Sequence, residues 1–519
     1  MLGCFKQVYP ELEGVDLATP HKNDDGQGNS FGQQPTTERM MFLDPHHEVG
    51  HVKTQLADHN SGFVRDFAES FPESTFLARQ FIMGYYPLDF LPALHALGRD
   101  FTICDHWFSS LPGPTWPNRF FALTGTSNGR VNMPDDGTHK ADIRGYFQQT
   151  QTTLFDRLNE RAIHWKVYFH DIPQTTVLVN QRMPHNAARY FYIDEFFADA
   201  RGSEQEFPQF SLVEPDYMGV EQSDDHPPHD IMRAEKLIAD VYNALRGNEE
   251  LWSSTLLVVF YDEHGGFYDH VQPPKADPPD GHNEEYTFDQ LGVRVPAILA
   301  SPWVERGVEP TQFDHTSVLK YLIDKWQLGP LGKRAEGATS IAVALRQNQR
   351  TDTIPRIQMT PEQLIPPDID AEEKAVGYVS PHQTALQKLA QHLEEEAFEK
   401  IPSAYAAGAR VVEAIKGLAE RWLAGLYQES SVLKVSIAEP DKLALSKDAT
   451  PRDQVAQFFM RSKKYAVMGL ADRLRDATLP IEQRLHSVQT LSIVTGRKFN
   501  AEADERLTRA DTWLRDRGQ

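Results

Sequence analysis

Cysteine is nearly absent from this chain of 519 residues, occurring at Cys4 and Cys104 alone. A disulfide framework is therefore excluded, and one optional bridge is the most the chain can form. No CxxC pair and no Cys/His zinc-finger spacing occurs. No stretch approaches the roughly eighteen consecutive apolar residues of a membrane-spanning helix. The opening residues, MLGCFKQVYP, lack the basic and apolar regions of a signal peptide. Read from Met1, the chain is expected in the cytoplasm. Excess positive charge is missing too: 52 Lys and Arg stand against 74 Asp and Glu, a formal net charge of -22. Such acidity disfavours nonspecific binding to nucleic acid or to anionic membranes, without excluding a local basic pocket. A Gly-rich phosphate loop, a dinucleotide fingerprint and a GxSxG elbow are all lacking.

Apolar residues make up 40% of the chain, enough for a sizeable core. FTICD, IHWKVYF, TLLVVF and VRVPAILASP read as strands, the last two as continuous apolar runs of the kind buried on both faces of a parallel sheet. Asp89 to Leu97, residues 230–246 and HTSVLKYLIDKW carry apolar residues at helical spacing. Alternating strands and helices predict an α/β fold around a mainly parallel central sheet. Residues 17–60, polar and rich in Gly, Asn, Gln and His, read as long functional loops outside the core. After about residue 350 the texture changes. The division predicted is a catalytic domain over 1–350, a Pro-rich linker over 351–372 and a helical C-terminal region over 373–519 that supplies no catalytic residue.

Three groups of residues carry chemistry. Tyr261-Asp262-Glu263-His264-Gly265-Gly266-Phe267-Tyr268-Asp269-His270 comes directly after a predicted strand. Ligands bind beyond the carboxyl ends of strands in open α/β sheets. Two adjacent carboxylates there need a cation to neutralise them. The plain alternative is a charged surface turn. The second group is Pro112-Gly113-Pro114-Thr115-Trp116-Pro117-Asn118-Arg119. A Thr held between prolines at a helix start can present its hydroxyl, beside free backbone amides, to an anion. Asn118 offers a donor to a phosphoryl oxygen, and Arg119 adds charge or ties down the turn. A structural Thr in a rigid turn is the competing reading. The third group is rich in histidine: Asp225-His226-Pro227-Pro228-His229-Asp230, Asp314-His315-Thr316 and Asp44-Pro45-His46-His47. Singly, each is more often a capping or surface histidine. Their repeated place at loop-to-helix junctions points to one phosphate-binding cleft.

The pieces LPGPTWPNRFF, DDHPPHD, YDEHGGFYDHVQPP, VRVPAILASPWV and FDHTSVLKYL, in this order, closely resemble the phosphoesterase family of non-specific phospholipases C and bacterial acid phosphatases. GPTWPNR and DDHPPHD look more like the phospholipase branch. The resemblance implies an alkaline-phosphatase-like sandwich. It implies Thr115 as the nucleophile, near one divalent metal ion bound by Asp262 and Glu263. It implies His226, His229, His315 and His47 as active-site histidines, with Asn118 on the phosphoryl oxygens and His315 a candidate general acid. The implied substrate is a glycerophospholipid or other phosphate ester, met by transient contact with a membrane surface; a phosphomonoesterase or a catalytically dead binding protein are the alternatives. Family members begin with a strand and a Glu-Asn-x-Ser-Phe-Asp-His-type motif whose Glu and Asn complete the metal site. Met1-Leu2-Gly3 resembles the residues immediately after that motif. The expectation is thus of a late start or a truncated chain, and of a secreted or periplasmic product if a signal peptide precedes it.

Overall fold

The computed structural model describes residues 1–134, 143–217, 222–352 and 354–365, most of 380–392, and scattered positions between 474 and 515. Most of the predicted C-terminal helical region lies outside the described residues. The elements that position the site are, in chain order, α1 (Val49–Gln55), α2 (Leu94–Asp100), β1 (Thr102–Cys104), α3 (Thr115–Thr124), β2 (Trp165–Phe169), β3 (Tyr190–Tyr192), β4 (Phe210–Val213), α4 (Ile231–Arg246), β5 (Leu257–Phe260), β6 (Ala297–Ala300), β7 (Gly307–Glu309) and α5 (Thr316–Trp326).

The fold is α/β. The central sheet has the order β5-β6-β1-β7, and a second sheet, β3-β2-β4, is parallel throughout. In the central sheet β5, β1 and β7 point one way, while β6 runs against both its neighbours. The reversal has a simple cause. The excursion from Tyr261 to Pro296 leaves and returns at the same end of the sheet, where the Tyr261 N–H donates to the Pro296 carbonyl at 3.2 Å. A strand that re-enters at the end it left must run antiparallel. β6 is fully buried, as its apolar run predicts, but β5 is only half-buried. Among the described strands, β5 pairs on one side alone, with β6, and stands at the edge of the sheet.

The largest core joins β1 and β6 to one face of α4 through Phe101, Ile103, Ile298, Leu299, Tyr242 and Leu245. α4 has its apolar residues at helical spacing and is capped by Asp230, whose carboxylate accepts the Met232 N–H at 3.1 Å. A second core packs Trp116 and Phe120 of α3 against Trp165 and Val167 of β2 and Leu319 of α5. Thr115 is thereby fixed from behind. Burying side chains of this size contributes about 1.5–3 kcal/mol each.

Two expectations need correction. The polar stretch 17–60 is not all loop: it holds α1, and Val52 and Gln55 of that helix are buried. The stretch 351–372 is docked where it is described. Ile354 and Ile357 are buried in the α4 core, and both ends of the Asn243 amide bond to the Ile357 backbone. The two cysteines are both free and buried. No described helix is long and apolar enough to cross a membrane.

Candidate functional site

A cavity of about 290 Å³ opens where the central strands end. Thr115, Arg119, His226, His229, Asp262 and Glu263 all line it, so the three sequence groups do converge.

Thr115 is the first residue of α3 and is buried to 5% exposure. Pro114 is its N-cap, with extended backbone that turns the chain into the helix. Pro117 falls in the first turn, where a missing N–H costs nothing. Asn118 lies behind this turn, not in front of it. Its Oδ1 accepts the Leu111 N–H at 3.0 Å, and its Nδ2 donates to the carbonyls of Leu111, Gly113 and Pro114 at 3.2, 2.8 and 3.3 Å. With its amide consumed by the backbone, Asn118 shapes the turn that holds Thr115 and has no donor left for a phosphoryl oxygen. Arg119 does face the cavity. Its guanidinium lies 3.3 Å from Glu214 Oε2 and over the Tyr217 ring. Burial alone would favour its neutral form, but Tyr217, Glu214 and Asp262 outweigh this and hold it firmly charged.

The opposite wall is the excursion after β5. Tyr261 donates to the buried carboxyl of Asp225. Burial pushes that carboxyl well above its usual range. Asp262 and Glu263 come next in the chain. The Glu263 Oε2 accepts the Gly265 N–H at 2.6 Å, and burial raises this carboxyl against the opposing pull of His47. Gly265 and Gly266 sit at φ +64° and +73°, the left-handed region that glycine alone enters freely. Gly266 is doubly required, since a Cβ there would lie 2.6 Å from the Pro45 Cβ. This close approach brings the loop of Asp44 and His47 against the carboxylate pair.

In the segment 224–230 each polar side chain has a distinct partner. His229 Nδ1 donates to Asp224 at 2.5 Å, and Arg39 forms a two-pronged ion pair with Asp230. His226 Nδ1 donates to the Pro227 carbonyl at 2.7 Å. Its Nε2 is buried without a hydrogen-bond partner among the described residues, 3.9 Å from Asp44 Oδ2. Asp44, His47 and His226 each offer one donor atom, all within 4.8 Å of one another. His47 packs its ring edge-on against His226. Burial disfavours charge on His47, yet Glu263, Asp44 and Glu48 raise its pKa to about 9. The field that keeps a proton on a buried imidazole is one that suits a cation. Carboxylates at Asp262, Glu263 and Asp44, with imidazoles at His47 and His226, are donors of the kind a divalent metal takes. The residues therefore fit a metal centre.

His315 departs from its expected place. It is fully buried, accepts the Trp107 indole N–H at Nδ1 (3.2 Å) and donates from Nε2 to the Asp262 carbonyl (2.8 Å). Both ring nitrogens are engaged, so it braces the strand end and does not face the cavity as a proton donor. Sequence reasoning missed His382. This residue lines the cavity edge-on to Tyr217, and burial, with Arg119 and three histidines nearby, keeps it neutral. Next to it Gln383 donates to the Tyr217 carbonyl at 2.7 Å. The stretch beyond residue 350 thus does reach the site. A lone His in a helical pattern gave no signal of it.

The family model described as "Phosphoesterase family" matches residues 6–329. Non-specific phospholipase C3 of Arabidopsis thaliana is 33% identical over 403 residues, covering 69% of this chain and 73% of the relative. Non-specific phospholipase C6 of the same plant is 37% identical over 276 residues, half of each chain (50% and 50%). The non-hemolytic phospholipase C of Pseudomonas aeruginosa is 30% identical over 284 residues, 46% of this chain and 39% of the relative. A solved structure in the alkaline phosphatase superfamily, from Vibrio parahaemolyticus, overlaps at a TM-score of 0.29 and 13% identity over 47% of this chain and 62% of its own, too slight a likeness to build on. With a carboxylate pair, a helix-start threonine and paired histidines around one cavity, and a family match over more than half its length, the chain belongs to the phosphoesterase family and is a phosphoric ester hydrolase.

Proposed function

We propose that this chain cleaves glycerophospholipids as a phospholipase C, releasing diacylglycerol and a phosphorylated headgroup. The observation that carries the reading is the shared cavity. Thr115 opens a helix on one wall, and Asp262 and Glu263 end a strand on the other. The apolar side chains that continue the lining, Met40, Met41, Phe81, Met83 and Phe267, suit a lipid more than a small monoester. The relatives' names as phospholipases C support the same choice.

Thr115 Oγ attacks phosphorus, the diacylglycerol oxygen leaves, and a water later hydrolyses the phosphothreonine ester. Asp262 and Glu263, with Thr115, would hold one divalent ion, which supplies positive charge to the phosphoryl oxygens and to the attacking hydroxyl. Arg119 stabilises charge on those oxygens from the Thr115 side. His226, whose Nε2 has no hydrogen-bond partner among the described residues, faces the cavity where the leaving oxygen takes up its proton, a task the placement of His315 does not allow. Asn118 positions Thr115. Contact with the membrane surface is transient, because the chain's net charge of -22 disfavours lasting attachment to anionic lipid.

The test compares two esters with one preparation supplied with divalent metal. Diacylglycerol release from phosphatidylcholine micelles is expected to exceed p-nitrophenyl phosphate hydrolysis by at least about tenfold in kcat/KM. Faster hydrolysis of the monoester would make the chain a phosphatase, and turnover of neither would make it a binding protein.

A further inference from the structure

Outside the cavity, the loop and helix that carry His47 hold a second set of metal-ligating side chains. His46, Glu48 and His51 each present a donor atom, and these atoms all lie within 4.8 Å of one another. His46 Nδ1 stands 3.4 Å from Glu48 Oε2. We propose that these three residues form an exchangeable transition-metal site, distinct from the centre at Asp262 and Glu263.

The surroundings favour a ligand set over a chance surface pairing. His51 Nδ1 donates to Asp66 at 2.8 Å, which leaves its other ring nitrogen for a metal. Asp66 is itself buried, and its second oxygen accepts from Gln55 Nε2 at 2.9 Å. A buried carboxylate that orients an imidazole from behind is the outer-shell arrangement of histidine metal sites. Gln55 also donates to the His46 carbonyl at 2.7 Å, so one amide ties both histidine-bearing segments together. The His46 and His51 side chains are each 38% exposed and Glu48 21%, so an ion and its waters reach them from solvent. Two imidazoles and one carboxylate select Zn²⁺, Co²⁺, Ni²⁺ or Cu²⁺ over Mg²⁺ or Ca²⁺.

The site is linked to the cavity along two routes. Glu48 Oε2 also accepts the backbone N–H of His47 at 3.2 Å, and Gln55 Oε1 accepts from His264 Nε2 at 2.8 Å. An ion on this site would stiffen the loop that seats His47.

Metal-stripped full-length protein should be titrated calorimetrically with Zn²⁺, alongside His51→Gln, His46→Gln and Asp262→Asn, with circular dichroism to establish folding. The wild type is expected to bind one equivalent that Asp262→Asn retains. Each histidine variant should lose that equivalent or bind it at least about tenfold more weakly. The same stoichiometry and affinity in the wild type and both folded histidine variants would overturn the proposal, whatever becomes of lipid hydrolysis.

Discussion

Two proline-rich turns line the cavity, and they use their polar side chains in opposite ways. In the segment 224–230, carboxylates bond to other side chains: Asp224 to His229 within the segment, Asp225 to the distant Tyr261 and Asp230 to the distant Arg39. One nitrogen, His226 Nε2, is buried without a hydrogen-bond partner among the described residues. In the turn 111–118, the Asn118 amide is spent on its own backbone, at Leu111, Gly113 and Pro114. The group it presents to the cavity is the Thr115 side chain. The lesson is one of saturation. A side chain whose hydrogen bonds are closed locally builds the site, and one left with an open valence acts in it.

Asn118→Ala sharpens the contrast most. It removes one amide and leaves its buried backbone partners unmet. A loss of about 2–4 kcal/mol in unfolding free energy is expected, with activity falling alongside. Chemical denaturation checks this. Unchanged stability with abolished turnover would return Asn118 to the phosphate and break the comparison.

A smaller effect concerns the wall opposite. His264 is buried and donates to Gln55, and burial lowers its pKa from the ordinary 6.5 to about 3. Below pH 6.5 the unfolded chain binds a proton that the folded chain refuses. Stability from this residue is therefore complete above pH 6.5 and is lost as pH falls toward 3. At about pH 5 the loss is about 2 kcal/mol relative to about pH 7. His264→Gln should narrow the stability difference between about pH 7 and about pH 5 in denaturant unfolding. An equal difference in both proteins would show that His264 is protonated in the fold.

Much of the site was legible in sequence, because the strand ends and helix starts were. A continuous apolar run followed by paired carboxylates and two glycines locates β5 and its loop. Residues 230–246, at helical spacing behind an aspartate, locate α4. What sequence could not give is orientation. Asn118 read as a donor to a phosphoryl oxygen and His315, by resemblance, as a candidate general acid. Which way each points depends on carbonyls and an indole that only the folded turn brings near, such as Trp107 at 3.2 Å from His315. His382 was hidden for the opposite reason: it is remote in sequence, and packing of Ala385 and Leu386 into the α3 core delivers it. The direction of β6 was equally invisible, since a buried apolar run looks the same whichever way it runs.

The mechanism stands on Thr115 as the nucleophile, and the direct measurement is to trap the group it carries. Protein supplied with divalent metal is mixed with phosphatidylcholine, quenched in acid within the first turnovers, digested and analysed by mass spectrometry. The phosphorylated headgroup is expected esterified to Thr115 in the wild type. No such adduct is expected in Thr115→Val, together with a fall of at least about a thousandfold in kcat/KM. Near-normal turnover by a folded Thr115→Val protein would contradict this mechanism.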